Sequence, residues 1–167
     1  MEILYQDKEL AVIVKPVGME SQAEIPEALA KALGGAFYPV HRLDLNVGGV
    51  MVYARSKEAA AALSRTIQDG AMVKEYVAMV HGTPPESGDW EDLLFKDSSR
   101  NKVFVVGRMR GGVKKARLEY KRLTEGETSL VHIRLHTGRS HQIRVQFAFS
   151  HFDTVCRTTF NFIASSS

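Results

Sequence analysis

The chain has 167 residues, of which 44% are hydrophobic and 25% charged; this suits one globular domain whose core needs neither disulfides nor a structural metal. Its single cysteine, Cys156, excludes an internal disulfide bond, and the sequence has no long apolar run or leader-like start, so we expect a soluble cytoplasmic protein. The formal net charge of +3 is unevenly distributed, because residues 1–95 contain 8 Lys and Arg against 14 Asp and Glu, whereas residues 96–167 contain 14 against 5.

The first part of the chain predicts a small sheet and two helices. Residues 3–5 and 10–15 are short apolar runs separated by a turn, which predicts two adjacent strands. Pro26 begins an alanine- and leucine-rich segment that ends at a pair of glycines, so we expect a short helix with proline at its first position. Ser56 is the expected N-cap of a helix over residues 57–68.

The remainder predicts strands joined by turns. Runs bounded by glycine, proline and other turn residues predict strands at about 75–80, 102–106, 116–122 and 129–135. Many strands with few helices favour an α+β fold, built on a mostly antiparallel mixed sheet with a few flanking helices.

Positive charge is concentrated in residues 96–122. This segment holds ten basic residues and two acidic ones, Asp97 and Glu119. Such a density suits a polyanion such as nucleic acid. A solvated, lysine-rich sheet edge that blocks aggregation would give the same composition. Charge alone does not separate these interpretations.

Four segments carry recognisable chemistry. The most informative is His-Arg-Leu-Asp at residues 41–44, since it places Asp44 between a basic loop and the apolar run at 49–54. The others are Lys-Pro-Val-Gly at 15–18, Lys-Glu-Tyr-Val at 74–77 and Thr-Gly-Arg-Ser-His-Gln-Ile-Arg at 137–144. In this order, over about residues 3–147, the four segments resemble the motifs of the RluA-type pseudouridine synthases.

The resemblance implies the pseudouridine synthase catalytic fold and the isomerisation of uridine to pseudouridine in ribosomal or transfer RNA. It implies that Asp44 is the nucleophile or base, that Tyr76 stacks on the target base and that Arg144 pairs with Asp44. We expect a monomer that acts on RNA with no cofactor, no metal and no membrane. The residues expected to bind RNA share a positive charge and a place in these motifs: Arg42, Lys74 and Arg139.

The chemistry explains these residue types. The reaction breaks the N1–C1′ bond of uridine, turns the base and rejoins it through C5, which needs an ionised aspartate in a pocket that excludes water. Removal from water would raise the pKa of Asp44, and an arginine held against the carboxylate counters that shift. A stacked uridine must also be extruded, at a cost of a few kcal/mol, and stacking on Tyr76 can return about 1–3 kcal/mol.

Each residue taken singly has an ordinary structural interpretation. Asp44 could be a turn or cap residue, Arg144 half of a surface ion pair, and Tyr76 a strand residue that fills the core. Arg42 and Arg139 could be solvated loop arginines. The histidines at 132, 136 and 141 do not indicate a metal site, because strand spacing sets the first two roughly 13 Å apart.

Two features depart from the family pattern. Gly48 stands where the family usually has serine or threonine, so we expect a looser catalytic loop. Family members also continue past residue 147 with further motifs that this chain lacks. We therefore expect an incomplete catalytic domain at residues 1–147 and a non-family tail at 148–167, as in a C-terminally truncated or altered product. A non-catalytic RNA-binding remnant and a fragment that does not fold stably are the alternatives.

Overall fold

The computed structural model describes the backbone of residues 1–164 and the side chains of residues 1–155. Within this range the chain forms two compact units. Unit 1 comprises residues 1–73 and the described residues from Arg157 onwards, and unit 2 comprises residues 74–156. None of the helices in the described part is long and apolar enough to cross a membrane.

Unit 1 is built on an antiparallel sheet with two helices. Its elements in chain order are β1 (Glu2–Gln6), β2 (Leu10–Lys15), α1 (Glu24–Leu33), β3 (Tyr38–Pro39), β4 (Gly48–Ala54) and α2 (Lys57–Gln68). Strand β2 pairs with β1 on one side and with β4 on the other, and β3 also pairs with β4. Because side chains alternate along β2, Ala11, Ile13 and Lys15 all face the core and are buried.

Unit 2 contains a larger antiparallel sheet with a helix against one face. Its elements are β5 (Met72–His81), of which the first two residues belong to unit 1, β6 (Ser87–Asp97), β7 (Lys102–Val105), β8 (Val113–Arg122), β9 (Thr128–Leu135) and α3 (Gln142–Phe149). The strands lie in the order β5-β9-β8-β6-β7, and each neighbouring pair is antiparallel. The face towards α3 buries a core that includes Ala78, Leu118, Ile133 and Phe147.

The last strand, β10 (Thr154–Ala164), passes from unit 2 into unit 1. In unit 1 its residue Thr159 pairs in parallel with Gly48 of β4. The predicted non-family tail, residues 148–167, therefore includes the end of α3 and the whole of β10. Residues 165–167 of that tail, and the side chain of Cys156, lie outside the described part.

The predicted fold class is confirmed, because the chain is α+β with mostly antiparallel strands and flanking helices. Helix α2 has the predicted bounds, and the Oγ atom of Ser56 accepts a hydrogen bond from the Ala59 N–H at 3.0 Å. The predicted start of α1 is wrong, since the helix begins at Glu24 and Pro26 is its third residue. Proline is tolerated there because N–H groups of the first turn have no intrahelical acceptor. Strands β3, β6 and β10 and helix α3 were not predicted.

Candidate active site

Asp44 lies in the loop of residues 41–47, called here the Asp44 loop, which joins β3 to β4. The loop contains a turn in which the Val47 N–H donates to the Asp44 carbonyl oxygen at 2.9 Å. Leu43 is buried, and its carbonyl oxygen accepts a hydrogen bond from the Ser21 hydroxyl at 3.0 Å. The Leu45 carbonyl oxygen accepts from the Gly18 N–H at 2.8 Å. Both neighbours of Asp44 are thus fixed through their backbones.

Lys15 is a site residue that the sequence did not predict. It ends β2 on the core face, is wholly buried, and donates from Nζ to the carbonyl oxygens of Met19 at 2.7 Å and Pro16 at 3.0 Å. The Leu45 carbonyl oxygen of the Asp44 loop lies 3.5 Å from the same Nζ. Burial lowers the pKa of Lys15, and the nearby carboxylates, including that of Asp44, oppose this shift. The sequence does contain one indication of this burial, because side-chain alternation along a strand places Lys15 on the same face as Ala11 and Ile13.

The carboxylate of Asp44 forms an ion pair with Arg42. Arg42 Nη2 lies 3.5 Å from Asp44 Oδ1, and the two side chains are 62% and 34% exposed. An ion pair this exposed contributes at most about 1 kcal/mol to stability. The predicted pairing of Asp44 with Arg144 stays a prediction, because Asp44 belongs to unit 1 and Arg144 to unit 2.

Gly48 begins β4 immediately after the Asp44 loop and lies close to the end of β2. A Cβ atom at this position would lie 3.2 Å from Val17 Cγ2 and 3.3 Å from the Lys15 carbonyl oxygen. Both distances are shorter than ordinary van der Waals contact. The absence of a side chain therefore allows the backbone of residues 15–17 to approach the base of the loop.

Tyr76 and Lys74 lie on β5 in unit 2. Tyr76 pairs with Ile133 of β9, and Lys74 pairs with Leu135. Both side chains are half-buried, and Tyr76 packs against the hydrophobic core. Their spacing places them on one face of the strand, as expected from the sequence.

Arg139 and Arg144 lie in the loop before α3 and in α3 itself. The Arg139 Nε donates to the Lys115 carbonyl oxygen at 2.8 Å, and its N–H donates to Gln142 Oε1 at 3.0 Å. Arg144 is exposed and lines a cavity of about 340 Å³, together with Lys102, Phe104, His141 and Asp153. Arg139 is therefore fixed by hydrogen bonds, whereas Arg144 faces an open, mostly polar cavity.

The side chains of residues 1–155 contain no cluster of three or more His, Cys, Asp or Glu arranged to hold a metal ion. Two of the histidines considered in the sequence contact carboxylates instead. His132 Nε2 lies 3.4 Å from Glu75, and His136 Nε2 lies 2.9 Å from Glu119.

Comparison with known proteins identifies the family. A sequence model of the RNA pseudouridylate synthase family matches residues 8–149. Ribosomal large subunit pseudouridine synthase D of Zymomonas mobilis is 32% identical, and the alignment covers 89% of this chain and 52% of that protein. tRNA pseudouridine synthase C of Pasteurella multocida is 30% identical, and the alignment covers 86% of this chain and 68% of that protein.

A solved structure agrees with the sequence matches. Human RNA Pseudouridylate Synthase Domain Containing 4 has a TM-score of 0.77 and 27% sequence identity, and the match covers 92% of this chain and 66% of that chain. The present chain spans about half the length of the first curated relatives that it matches. Since the family model covers most of the sequence and a solved structure of similar fold agrees, the chain belongs to the RNA pseudouridylate synthase family.

Proposed function

We propose that this protein isomerises uridine to pseudouridine in RNA and that Asp44 is the reacting carboxylate. Family membership supports the reaction class. The names of two relatives specify the ribosomal large subunit and tRNA, which supports ribosomal or transfer RNA as the substrate.

The proposed reaction is balanced without a redox partner. The N1–C1′ bond of uridine breaks, the uracil turns, and C5 bonds to C1′. The proton on C5 leaves and N1 gains one, so the product is an isomer of the substrate. Asp44 either forms a transient covalent bond with the substrate or removes a proton from the sugar, and either role requires its ionised form.

The observation that carries this proposal is the anchoring of the Asp44 loop. The carbonyl oxygens on both sides of Asp44 accept hydrogen bonds, one from Ser21 and one from Gly18. A carboxylate held in place by its backbone reaches a bound sugar or base without first losing conformational freedom, which lowers the barrier to reaction.

The remaining roles are proposed from the resemblance and from the chemistry of each side chain. Tyr76 is proposed to stack on the extruded uracil and to relay the C5 proton. Arg144 is proposed to pair with the reacting carboxylate, since a guanidinium can bond both carboxylate oxygens. Three cations are proposed to contact the RNA backbone: Arg42, Lys74 and Arg139.

The test is D44N, assayed with transcripts of large-subunit ribosomal RNA and transfer RNA that carry tritium at C5 of uridine. Tritium passes to water only when C5 loses its hydrogen. We expect the wild-type chain to release tritium, and D44N to release it at least about 100-fold more slowly with RNA affinity retained. The matched control is D69N, since Asp69 is an exposed aspartate at the end of α2.

Each contrary result has a distinct meaning. Normal release by D44N would remove Asp44 from the reaction. RNA binding without any release by the wild-type chain would overturn the proposed catalysis and support the RNA-binding remnant. A wild-type chain that shows no cooperative melting would instead identify an unstable fragment.

A further inference from the structure

Two exposed lysines lie on the core side of the sheet of unit 2, where that face meets solvent. On β6 the core-facing Leu94 is 3% exposed, and Lys96 follows it at the next position on the same face. On β8, Lys114 pairs directly with Leu94 and precedes the buried Ala116 by two residues. Both lysines are exposed, so they place positive charge on this face just beyond its buried residues.

These lysines lie at one end of the sheet. Lys74 of β5 pairs with Leu135, the last residue of β9. Leu135 also pairs with Leu118 of β8, so Lys114 lies beyond the end of β9 in the same direction. The loop that follows β9 leads to Arg139. Three strands and one loop thus bring positive charge to the same edge of the core face.

A cavity of about 160 Å³ lies at this edge. Its basic lining residues are Lys96, Lys114 and Arg139, which we call the basic notch. Gly138 and Ser140 also line it. Lys74 lies next to Gly138, since a Cβ atom on that glycine would be 3.4 Å from Lys74 Nζ. Burial lowers the pKa of Lys74, and the positive charge of Arg139 lowers it further.

The basic notch differs from the opposite face of the same sheet in how its charge is balanced. On the opposite face, Lys115 lies 3.4 Å from Glu91, and Arg117 lies 2.8 Å from Asp89. Among the side chains of residues 1–155, by contrast, no carboxylate lies within 4.0 Å of a charged nitrogen of the basic notch. The positive charge of the opposite face is therefore balanced by neighbouring carboxylates, whereas that of the basic notch is open to an anionic ligand.

We propose that the basic notch binds a phosphate of the RNA backbone. The inference rests on the proposed function and identifies where the substrate RNA is gripped. Two ammonium groups and a guanidinium offer several charged donors to the phosphate oxygens. The hydrogen bond from Arg139 to the Lys115 carbonyl oxygen holds that side chain in place before RNA arrives. The hydroxyl of Ser140 adds a neutral donor at the rim of the cavity.

The experiment compares two double variants with the same change in net charge. K96Q/K114Q removes two charges from the basic notch, and K115Q/K121Q removes two from elsewhere on β8. The probe is a fluorescein-labelled RNA hairpin, titrated by anisotropy at several salt concentrations. We expect K96Q/K114Q to reduce the slope of log K against log salt by about 1 to 2 and to weaken binding about tenfold at low salt. K115Q/K121Q should alter the slope by less than half as much.

Two further measurements keep the outcome decisive. K96R/K114R retains the charges and should retain the wild-type slope. If K96Q/K114Q fails to melt cooperatively, the single variants K96Q and K115Q give the same comparison. Equal slopes for the notch variant and its control would overturn the proposal, because RNA would then respond only to net charge.

The proposed function and the basic notch can be tested independently of each other. If the wild-type chain releases no tritium from C5-labelled RNA but the two double variants still differ in slope, the catalytic proposal is wrong and the basic notch stands. If tritium is released normally and the slopes are equal, the catalytic proposal stands and the basic notch is wrong.

Discussion

Lys15 Nζ donates a hydrogen bond of 2.7 Å to the Met19 carbonyl oxygen inside unit 1, where the lysine side chain is wholly buried. A buried ammonium is tolerated only when its protons are bonded. The carbonyl oxygens of Pro16 and Leu45 lie at 3.0 Å and 3.5 Å from the same nitrogen. Lys15 therefore joins the end of β2 to both the following turn and the Asp44 loop.

The first prediction concerns stability. K15M should lower the free energy of unfolding by about 1–3 kcal/mol, because methionine fills the space but leaves carbonyl oxygens without a donor. Urea denaturation followed by circular dichroism measures the change. K31M is the control, since Lys31 is exposed on α1, and it should change stability by less than about 0.5 kcal/mol. Equal stability of the two variants would show that the ammonium does not hold this region together.

The second prediction concerns pH. Because the native pKa of Lys15 lies below its ordinary value of 10.5, the unfolded chain binds more protons than the native chain between those two values. This contribution to stability therefore rises as pH increases through that window and falls as pH decreases through it. The stability difference between wild type and K15M should grow as pH rises towards 10.5. Urea denaturation at several alkaline pH values tests this, and a difference that shrinks would contradict it.

Lys15 also shows what the sequence could and could not predict about the site. The Lys-Pro-Val-Gly segment is recognisable in the sequence. The alternation of side chains along a strand also places its lysine on the same face as Ala11 and Ile13. What the sequence lacked was the position of the acceptors. The Met19 and Leu45 carbonyl oxygens come from a turn and from a loop some thirty residues away along the chain. Every residue has a backbone carbonyl oxygen, so residue types do not indicate which carbonyl accepts a hydrogen bond. The contacts of Lys15 could therefore be identified only from the structure.

The unpredicted helix α3 has a similar explanation. Its buried residues are Gln142, Ile143, Gln146 and Phe147, which is helical spacing, but half of them are glutamines. Gln142 Nε2 donates to the Arg117 carbonyl oxygen at 3.1 Å, and Gln146 Nε2 donates to Asp92 Oδ2 at 2.8 Å. The partners of these buried glutamines are distant in sequence. The glutamines therefore hide the amphipathic pattern that would have predicted the helix. Strand β6 was concealed by acidic residues such as Asp89 and Glu91, whose partners Arg117 and Lys115 lie on β8 and are likewise distant in sequence.

The third prediction concerns Gly88 on β6. A Cβ atom there would clash with Tyr120 Cε1 and lie 3.1 Å from Trp90 Nε1. Tyr120 is buried, and its ring centroid lies 4.6 Å from that of Trp90, so neither ring can move without disturbing the core. G88A should therefore lower the free energy of unfolding by about 1–3 kcal/mol or more. Thermal and urea melts measure this loss.

The control for Gly88 is Gly107. A Cβ atom at Gly107 would meet nothing within 4 Å, and its backbone is not in the left-handed region. G107A should therefore leave stability unchanged or raise it slightly, because alanine reduces the freedom of the unfolded chain. A G88A protein as stable as G107A would mean that the Tyr120 ring does not lie over the glycine.

The fourth prediction concerns Gly48. It distinguishes two explanations for a glycine at this position, the close approach of β2 and the flexibility of the Asp44 loop. G48A places a Cβ atom 3.2 Å from Val17 Cγ2 and 3.3 Å from the Lys15 carbonyl oxygen. Val17 is exposed and can rotate away, but the carbonyl is backbone, so we expect a loss of about 1 kcal/mol. In the double variant V17A/G48A the first contact is absent, and G48A should cost less there than in the wild-type chain. If alanine instead stabilised the chain equally in both backgrounds, freedom of the loop rather than the approach of β2 would explain why this position is glycine.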